Sequence, residues 1–320
     1  MHGNNMNRPK EFSKTFKNLI LYMLCFILAF LAAGCGNGQT TSDTSKREKA
    51  SSQKPAASVL VPEAPGIKTL GNETVNIDIS NASQGYVTVT YSGDNDNVKL
   101  QISCNDGEKY TYNLQKGSAE VFPLTQGDGT YRIGVFENTQ GDSYHELFSG
   151  QFDVALENEF LPFLYPNQYV NFTSSSAAVK QGEELAKDAT DELDLVGKVY
   201  NYVVENISYD YDKADNVASG YLPVIDETLS TQKGICFDYA ALMTAMLRSQ
   251  GVPTRLVIGY VGELYHAWIS VYIDGQGWID NIIYFDGTQW TRMDPTLAST
   301  SGQQEKYTGD GNEYHEMYIY

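Results

Sequence analysis

Apolar and polar positions follow four different patterns along the chain. Residues 19–33 are almost continuously apolar, and residues 36–66 are mostly Ser, Thr, Gln, Lys, Pro and Ala. From Val75 to about Leu156 short β-rich runs alternate with turn residues. Strands are predicted at 75–79, 85–91, 98–104, 109–114, 119–124, 130–136 and 146–154. Between them lie turn formers such as Asn105-Asp106-Gly107 and Gln126-Gly127-Asp128-Gly129. Seven short strands at this spacing, with no helix, predict an all-β immunoglobulin-like sandwich over residues 67–157.

Beyond residue 158 the period changes. Helices are predicted near 176–189 and 191–206, the second carrying Val196, Val199, Tyr200, Val203 and Ile207 on one face. A loop containing Tyr209-Asp210-Tyr211-Asp212 and Pro223 follows. Next comes an amphipathic helix opened by Gly234-Ile235-Cys236-Phe237-Asp238-Tyr239-Ala240, with Tyr239, Leu242, Met243, Met246 and Leu247 at helical spacing. Gly251 and Pro253 stop it. Strands at 254–261, 266–273, 278–284 and 290–293, joined in part by Asp274-Gly275-Gln276-Gly277 and Phe285-Asp286-Gly287-Thr288, complete an α+β domain over 158–320.

The N-terminus changes where this protein is expected to work. Arg8, Lys10, Lys14 and Lys17 precede the apolar run, which ends in Ala32-Ala33-Gly34-Cys35. A basic head, a short apolar core and small residues describe an export signal over 1–34. Residues 32–35 resemble a bacterial lipobox, with Ala32 standing where Leu is usual. The resemblance implies lipidation of Cys35 and a membrane anchor on the extracytoplasmic face; a simple cleaved signal or an uncleaved anchor also fits. Residues 35–66 then read as a flexible tether, too poor in apolar side chains to offset the entropy of ordering.

Charge narrows the partners. The chain carries −18; removing residues 1–34, with four basic and one acidic side chain, leaves 18 basic against 39 acidic, or −21. Such a surface argues against nucleic acid or anionic lipid as a partner of the folded part. Four cysteines, two of them in the N-terminal 35 residues, are too few for a disulfide scaffold. Cys104 alternates with Ile102 and Leu100 as a buried structural thiol would; a Cys104–Cys236 bridge would have to join the two domains. Asp94, Asp96 and Asp106 read as turn formers, with calcium binding the alternative.

The chemistry gathers in the second domain. Cys236 in the first turn of a helix sits where free N–H groups and the helix dipole favour a thiolate. His266 opens a strand, and Asp294, before Pro295, ends a later one. A nucleophile, a base and an orienting carboxylate are the parts of a cysteine acyl-transfer triad. Each also has an ordinary structural explanation: a buried cysteine, a strand-end histidine, a turn aspartate. A zinc site is the weaker competitor, since neither C-x-x-C nor H-x-x-x-H spacing occurs.

Over roughly 175–298 the chain resembles the transglutaminase-like superfamily, which shares the papain-type cysteine protease architecture. The resemblance rests on residues 234–240, on Leu247-Arg248-Ser249-Gln250-Gly251-Val252-Pro253-Thr254-Arg255, on His266-Ala267-Trp268 and on Asp294-Pro295-Thr296, in that order. It implies Cys236 as nucleophile, His266 as base and Asp294 as orienter, with no metal or organic cofactor. An extra stretch at 279–291 separates the tryptophan hairpin from Asp-Pro, which makes Asp280 a rival orienter. The Cys236 backbone N–H would be one oxyanion donor, and Gln232 is a candidate second. The implied protein is a membrane-anchored cysteine acyltransferase acting on protein or peptide amides, including wall-associated ones. A protease or amidase that only hydrolyses, and a non-catalytic surface scaffold, are the alternatives.

Overall fold

The computed structural model describes residues 57, 59–280 and 314–320, together with the strand backbones of Ile283–Phe285 and Trp290–Arg292. The expected signal, Cys35, most of the tether and Asp294 lie outside the described residues. Everything described falls in one compact unit.

All seven strands expected in the first half form: β2 (Val75–Asp78), β3 (Tyr86–Tyr91), β4 (Val98–Cys104), β5 (Tyr110–Leu114), β6 (Ala119–Pro123), β7 (Gly129–Gln140) and β8 (Ser143–Val154). A short β1 (Thr69–Gly71) precedes them, and one 3-10 turn (Ala82–Gln84) interrupts what the pattern predicted to be free of helix. They make two antiparallel sheets, ordered β1-β2-β3-β6 and β5-β4-β7-β8. Period-2 burial explains why. In β4, Val98, Leu100, Ile102 and Cys104 are buried while Lys99, Gln101 and Ser103 are half-exposed. The inward rows of both sheets join one apolar core.

The second half begins with α1 (Ala177–Lys187) and α2 (Glu192–Asn206), within two residues of expectation. Asp191 caps α2 by accepting from the Asp194 N–H. The stretch expected to be a loop holds more structure: β9 (Ser208–Tyr209), α3 (Tyr211–Asn216) and α4 (Ile225–Thr231), followed by β10 (Lys233–Gly234), which pairs parallel to β9. These pieces are too short to show a period, so only their tertiary partners stabilise them.

The cysteine helix is α5 (Cys236–Arg248), and it corrects the one-sided expectation. Every residue from Asp238 to Arg248 is buried. Helices α1, α2 and α4 pack around it, and β11 (Thr254–Val261) and β12 (Leu264–Ile273) cover it from the sheet side. A helix enclosed on all sides must be apolar all round, and the small Ala240, Ala241 and Ala245 permit close neighbours. On α1, a Cβ added at Gly182 would lie 2.8 Å from the Met246 carbonyl oxygen.

The sheet beside α5 runs β13-β12-β11-β16, all antiparallel, with β13 at Gly277–Ile279 and an unanticipated last strand β16 at Tyr314–Ile319. The strand expected at 278–284 is split: β13 ends at Ile279, and β14 (Ile283–Phe285) pairs instead with β15 (Trp290–Arg292) as a separate hairpin.

The two halves meet in a packed aromatic seam. Tyr320 lies against Tyr169, Tyr110 and Tyr112 with ring centroids 4.4, 5.5 and 5.8 Å apart. Hydrogen bonds cross it from the Gln168 N–H to the Val121 carbonyl and from the Ile319 N–H to the Tyr110 hydroxyl. Arg248, fully buried, closes the C-terminal side of this seam by donating to the carbonyls of Thr254, Tyr165 and Tyr320 at 2.9, 2.7 and 2.7 Å. Burial pushes its guanidinium down to about 9, so it stays charged at neutral pH.

Candidate active site

Cys236 is the first residue of α5, half-buried and a free thiol, as is Cys104, so the two are not bridged. Its backbone is held from several directions. Ile235, extended, precedes it and offers no side-chain cap; instead the Asp238 carboxylate reaches back to accept the Ile235 N–H at 2.8 Å. Just upstream, the Ser208 N–H donates to the Gln232 carbonyl and the Asp210 N–H to the Gly234 carbonyl, each at 2.9 Å. Gly234 is required by space: a Cβ there would lie 2.7 Å from Asp238 Cβ. The glycine two residues before the cysteine thus lets the loop close on the helix start.

Asp238 is a residue of the helix start that reading the sequence did not single out. It is fully buried two residues from Cys236, and it accepts from the Tyr221 hydroxyl at 2.5 Å and the Lys213 ammonium at 2.8 Å. Lys213 also donates to the Tyr221 hydroxyl at 2.5 Å and lies over its ring. Burial would push Lys213 down, but the bonds to Asp238 and Tyr221 outweigh it and hold its pKa above the ordinary value. Burial and the bond to Asp238 raise the Tyr221 phenol to about 12. The available signal was an acid at the third helical position, the capping-box place; the lysine and tyrosine come from segments read as loop.

His266 lies near the start of β12, buried at 4 % exposure, its ring stacked near-parallel to Trp268 with centroids 6.3 Å apart. It opposes Gly259 on β11, where an added Cβ would fall 2.0 Å from the His315 carbonyl oxygen and 2.9 Å from the Trp268 ring. The core cluster that contains α5 includes Ala267, Ile269 and Val271. His266 belongs to the other row, with Trp268, at the end of β12 beside the β11–β12 hairpin.

Strand direction settles which end that is. Arg248, at the last turn of α5, donates to the Thr254 carbonyl at the start of β11, and Thr254 opposes Val271. Thirteen helical residues span about 20 Å, so Cys236 lies toward the β11–β12 hairpin that carries His266. Consistent with this, the phenol of Tyr265, raised first by burial, also feels the charge of Cys236. Cys236 and the His266 end of β12 are therefore brought to the same end of the layer.

Of the remaining expectations, Gln232 is exposed, ends α4 in a left-handed conformation (φ 54°) and offers its carbonyl to Ser208. Asp294 lies outside the described residues. Asp280 follows Ile279, which pairs with Val271, so it stands near the far end of β12, about four residues or 13 Å from His266. There it faces Arg255 and Glu316 electrostatically. Among the described residues no group of three or more His, Cys, Asp and Glu side chains could hold a metal ion.

Residues 180–295 match the model of the transglutaminase-like superfamily. Kyphoscoliosis peptidase of Mus musculus is 30 % identical over 122 residues, which cover 32 % of this chain and 18 % of that protein. A protein-glutamine gamma-glutamyltransferase of Pseudomonas aeruginosa is 36 % identical over 76 residues, 19 % of this chain and 11 % of its own length. In both of these relatives the match covers less than a fifth of that protein's own length. Red sea bream transglutaminase aligns with a TM-score of 0.26 at 14 % identity, over 68 % of this chain and 48 % of that one. Cys236 at the buried helix start and His266 on the neighbouring strand both fall within the matched segment, and residues 180–295 of this chain are a transglutaminase-like domain.

Proposed function

We propose that this protein is a cysteine acyl-transfer enzyme, anchored by a lipid on Cys35 and acting on protein or peptide amides at the outer face of the cell membrane. The observation that carries the reading is Cys236 at the first turn of an enclosed helix, pinned by Asp238, with His266 at the same end of the layer. The Cys236 thiolate adds to a carboxamide or peptide carbonyl, forming the C–S bond. The tetrahedral oxyanion is met by the Cys236 backbone N–H, with Gln232 the candidate second donor. The C–N bond then breaks, and His266, having taken the thiol proton, gives it to the departing ammonia or amine. Water or a second amine, deprotonated by His266, attacks the thioester and restores the thiol. Asp294 orients the His266 ring. No metal or organic cofactor takes part in this scheme.

The names of two relatives, a peptidase and a glutamyltransferase, correspond to the two resolutions of the thioester, so the hydrolytic enzyme stands as the second reading. The two-sheet N-terminal half, read as an immunoglobulin-like sandwich, serves as spacer or binding module between tether and enzyme. The test is alkylation of Cys236 by iodoacetamide at pH 6.5 in wild type and in His266→Ala, followed by mass analysis of products from amide peptides with and without an added amine. Loss of reactivity by about tenfold or more in the mutant, with a thioester trapped on Cys236, is expected. A slow thiol indifferent to His266 would leave a non-catalytic scaffold.

A further inference from the structure

Two tyrosine pairs lie within electrostatic reach of Cys236, through Tyr209 and Tyr265. One comes from the β9–α3 segment: Tyr209 pairs with Gly234, two residues before Cys236. Its ring lies 5.0 Å from that of Tyr211, which is 59 % exposed. Burial first, and then the charge of Cys236, raises the Tyr209 phenol to about 12, so it stays neutral. The other lies on the β11–β12 hairpin, at the Cys236 end of the sheet. There Tyr260 and Tyr265 stand opposite one another with rings 5.4 Å apart, and Leu264 and Tyr265 are 57 % and 56 % exposed.

Tyr211, Leu264 and Tyr265 are among the most exposed large apolar side chains described, and apolar surface of this kind is suited to contact a partner. Charge says what kind. The two segments, 205–217 and 260–266, carry Glu205, Asp210, Asp212, Asp215 and Glu263 against one lysine. That lysine, Lys213, is committed to Asp238. Five carboxylates on the two tyrosine-bearing segments repel acidic chains and attract cationic ones.

We infer that Tyr211, Leu264 and Tyr265 select the substrate, and that it is a basic peptide segment with an aromatic or aliphatic side chain next to the reacting amide. This rests on the acyl-transfer reading and names its substrate class. Tyr209 and Tyr211 cover one side of the bound peptide, Leu264 and Tyr265 the other, and the carboxylates bind lysine or arginine flanks.

The two ideas separate in one experiment. Binding is measured by fluorescence anisotropy on the full chain carrying Cys236→Ala, with three labelled peptides of equal length. One has Phe beside Gln and lysine flanks, one has Phe and glutamate flanks, and one has Gly beside Gln and lysine flanks. Turnover of the same peptides is measured on wild type. The first peptide is expected to bind at least tenfold tighter than either other, with the advantage over the acidic one shrinking as salt rises. Tyr211→Ser and Tyr265→Ser, both at exposed positions, should each weaken it several-fold. Equal binding of the three peptides, or affinity untouched by both substitutions, overturns the inference whatever the turnover. Selective binding without any turnover by wild type upholds the peptide site and removes the acyl-transfer reading.

Discussion

Replacing Asp238 should loosen the start of the cysteine helix, and the cost can be worked from its contacts. Asp238→Ala removes the acceptor of three donors: the Ile235 N–H, the Tyr221 hydroxyl and the Lys213 ammonium. Breaking a buried charge pair by deleting one partner costs about 3–5 kcal/mol. The Lys213 side chain is 27 % exposed, so water recovers part of its solvation and the lower end, about 3 kcal/mol, applies. Asp238→Asn keeps an acceptor for Ile235 but offers Lys213 no charge, for a loss of about 1.5–2 kcal/mol. In a unit of this size these correspond to drops in melting temperature of roughly 6–12 °C and 3–8 °C. Circular-dichroism melting of both variants, with Lys213→Met and the double mutant, completes a cycle whose coupling energy should exceed about 1.5 kcal/mol. An Asp238→Ala protein melting within a degree of wild type, or a coupling near zero, would refute the claim that this network holds the helix start.

Two further outcomes follow from buried charges. Arg248→Met leaves the carbonyls of Thr254, Tyr165 and Tyr320 without their donors, each orphan costing about 1–3 kcal/mol, partly offset by removing a buried cation. Urea unfolding should show a net loss of about 3–5 kcal/mol; a loss below about 1 kcal/mol would mean that the seam closes without the arginine. The pH dependence has a definite sign. Burial is the first cause that raises Glu120, Glu192 and Glu316, so the folded state holds their protons more tightly than the unfolded state does. Their stabilising effect is complete below the unfolded value of about 4.3 and is lost as pH rises through the raised ones. Asp78 and Asp194 act oppositely. Burial pushes Asp78 up, but bonds from Ser80 and Gly66 outweigh it; Lys198 holds Asp194 down; both contributions vanish toward acid. Calorimetry should therefore place the melting maximum between about pH 4.5 and 6, and a melting temperature climbing steadily to pH 8 would contradict it.

Periodicity in the sequence was enough to determine the seven strands of the first half, α1, α2, α5 and the β11–β12 pair. Each is long enough for alternation or helical spacing to emerge from single residues. The order of Cys236, His266-Ala267-Trp268 and Asp294-Pro295 likewise pointed to the transglutaminase-like domain that the family match bears out. What the sequence could not show depends on neighbours far along the chain. The stripe on α5 read as one face, because enclosure by helices and sheet together leaves no pattern within the helix itself. The segments forming α3, α4, β9 and β10 looked like loop, since pieces of two to seven residues gain their stability from what they touch. The Lys213–Tyr221–Asp238 network joins residues 8, 17 and 25 positions apart. Only the folded backbone turns a lysine and a tyrosine from those loop-like stretches toward one buried carboxylate. Local propensity writes a periodic element residue by residue, whereas a buried charge and a packed seam exist only where distant segments meet.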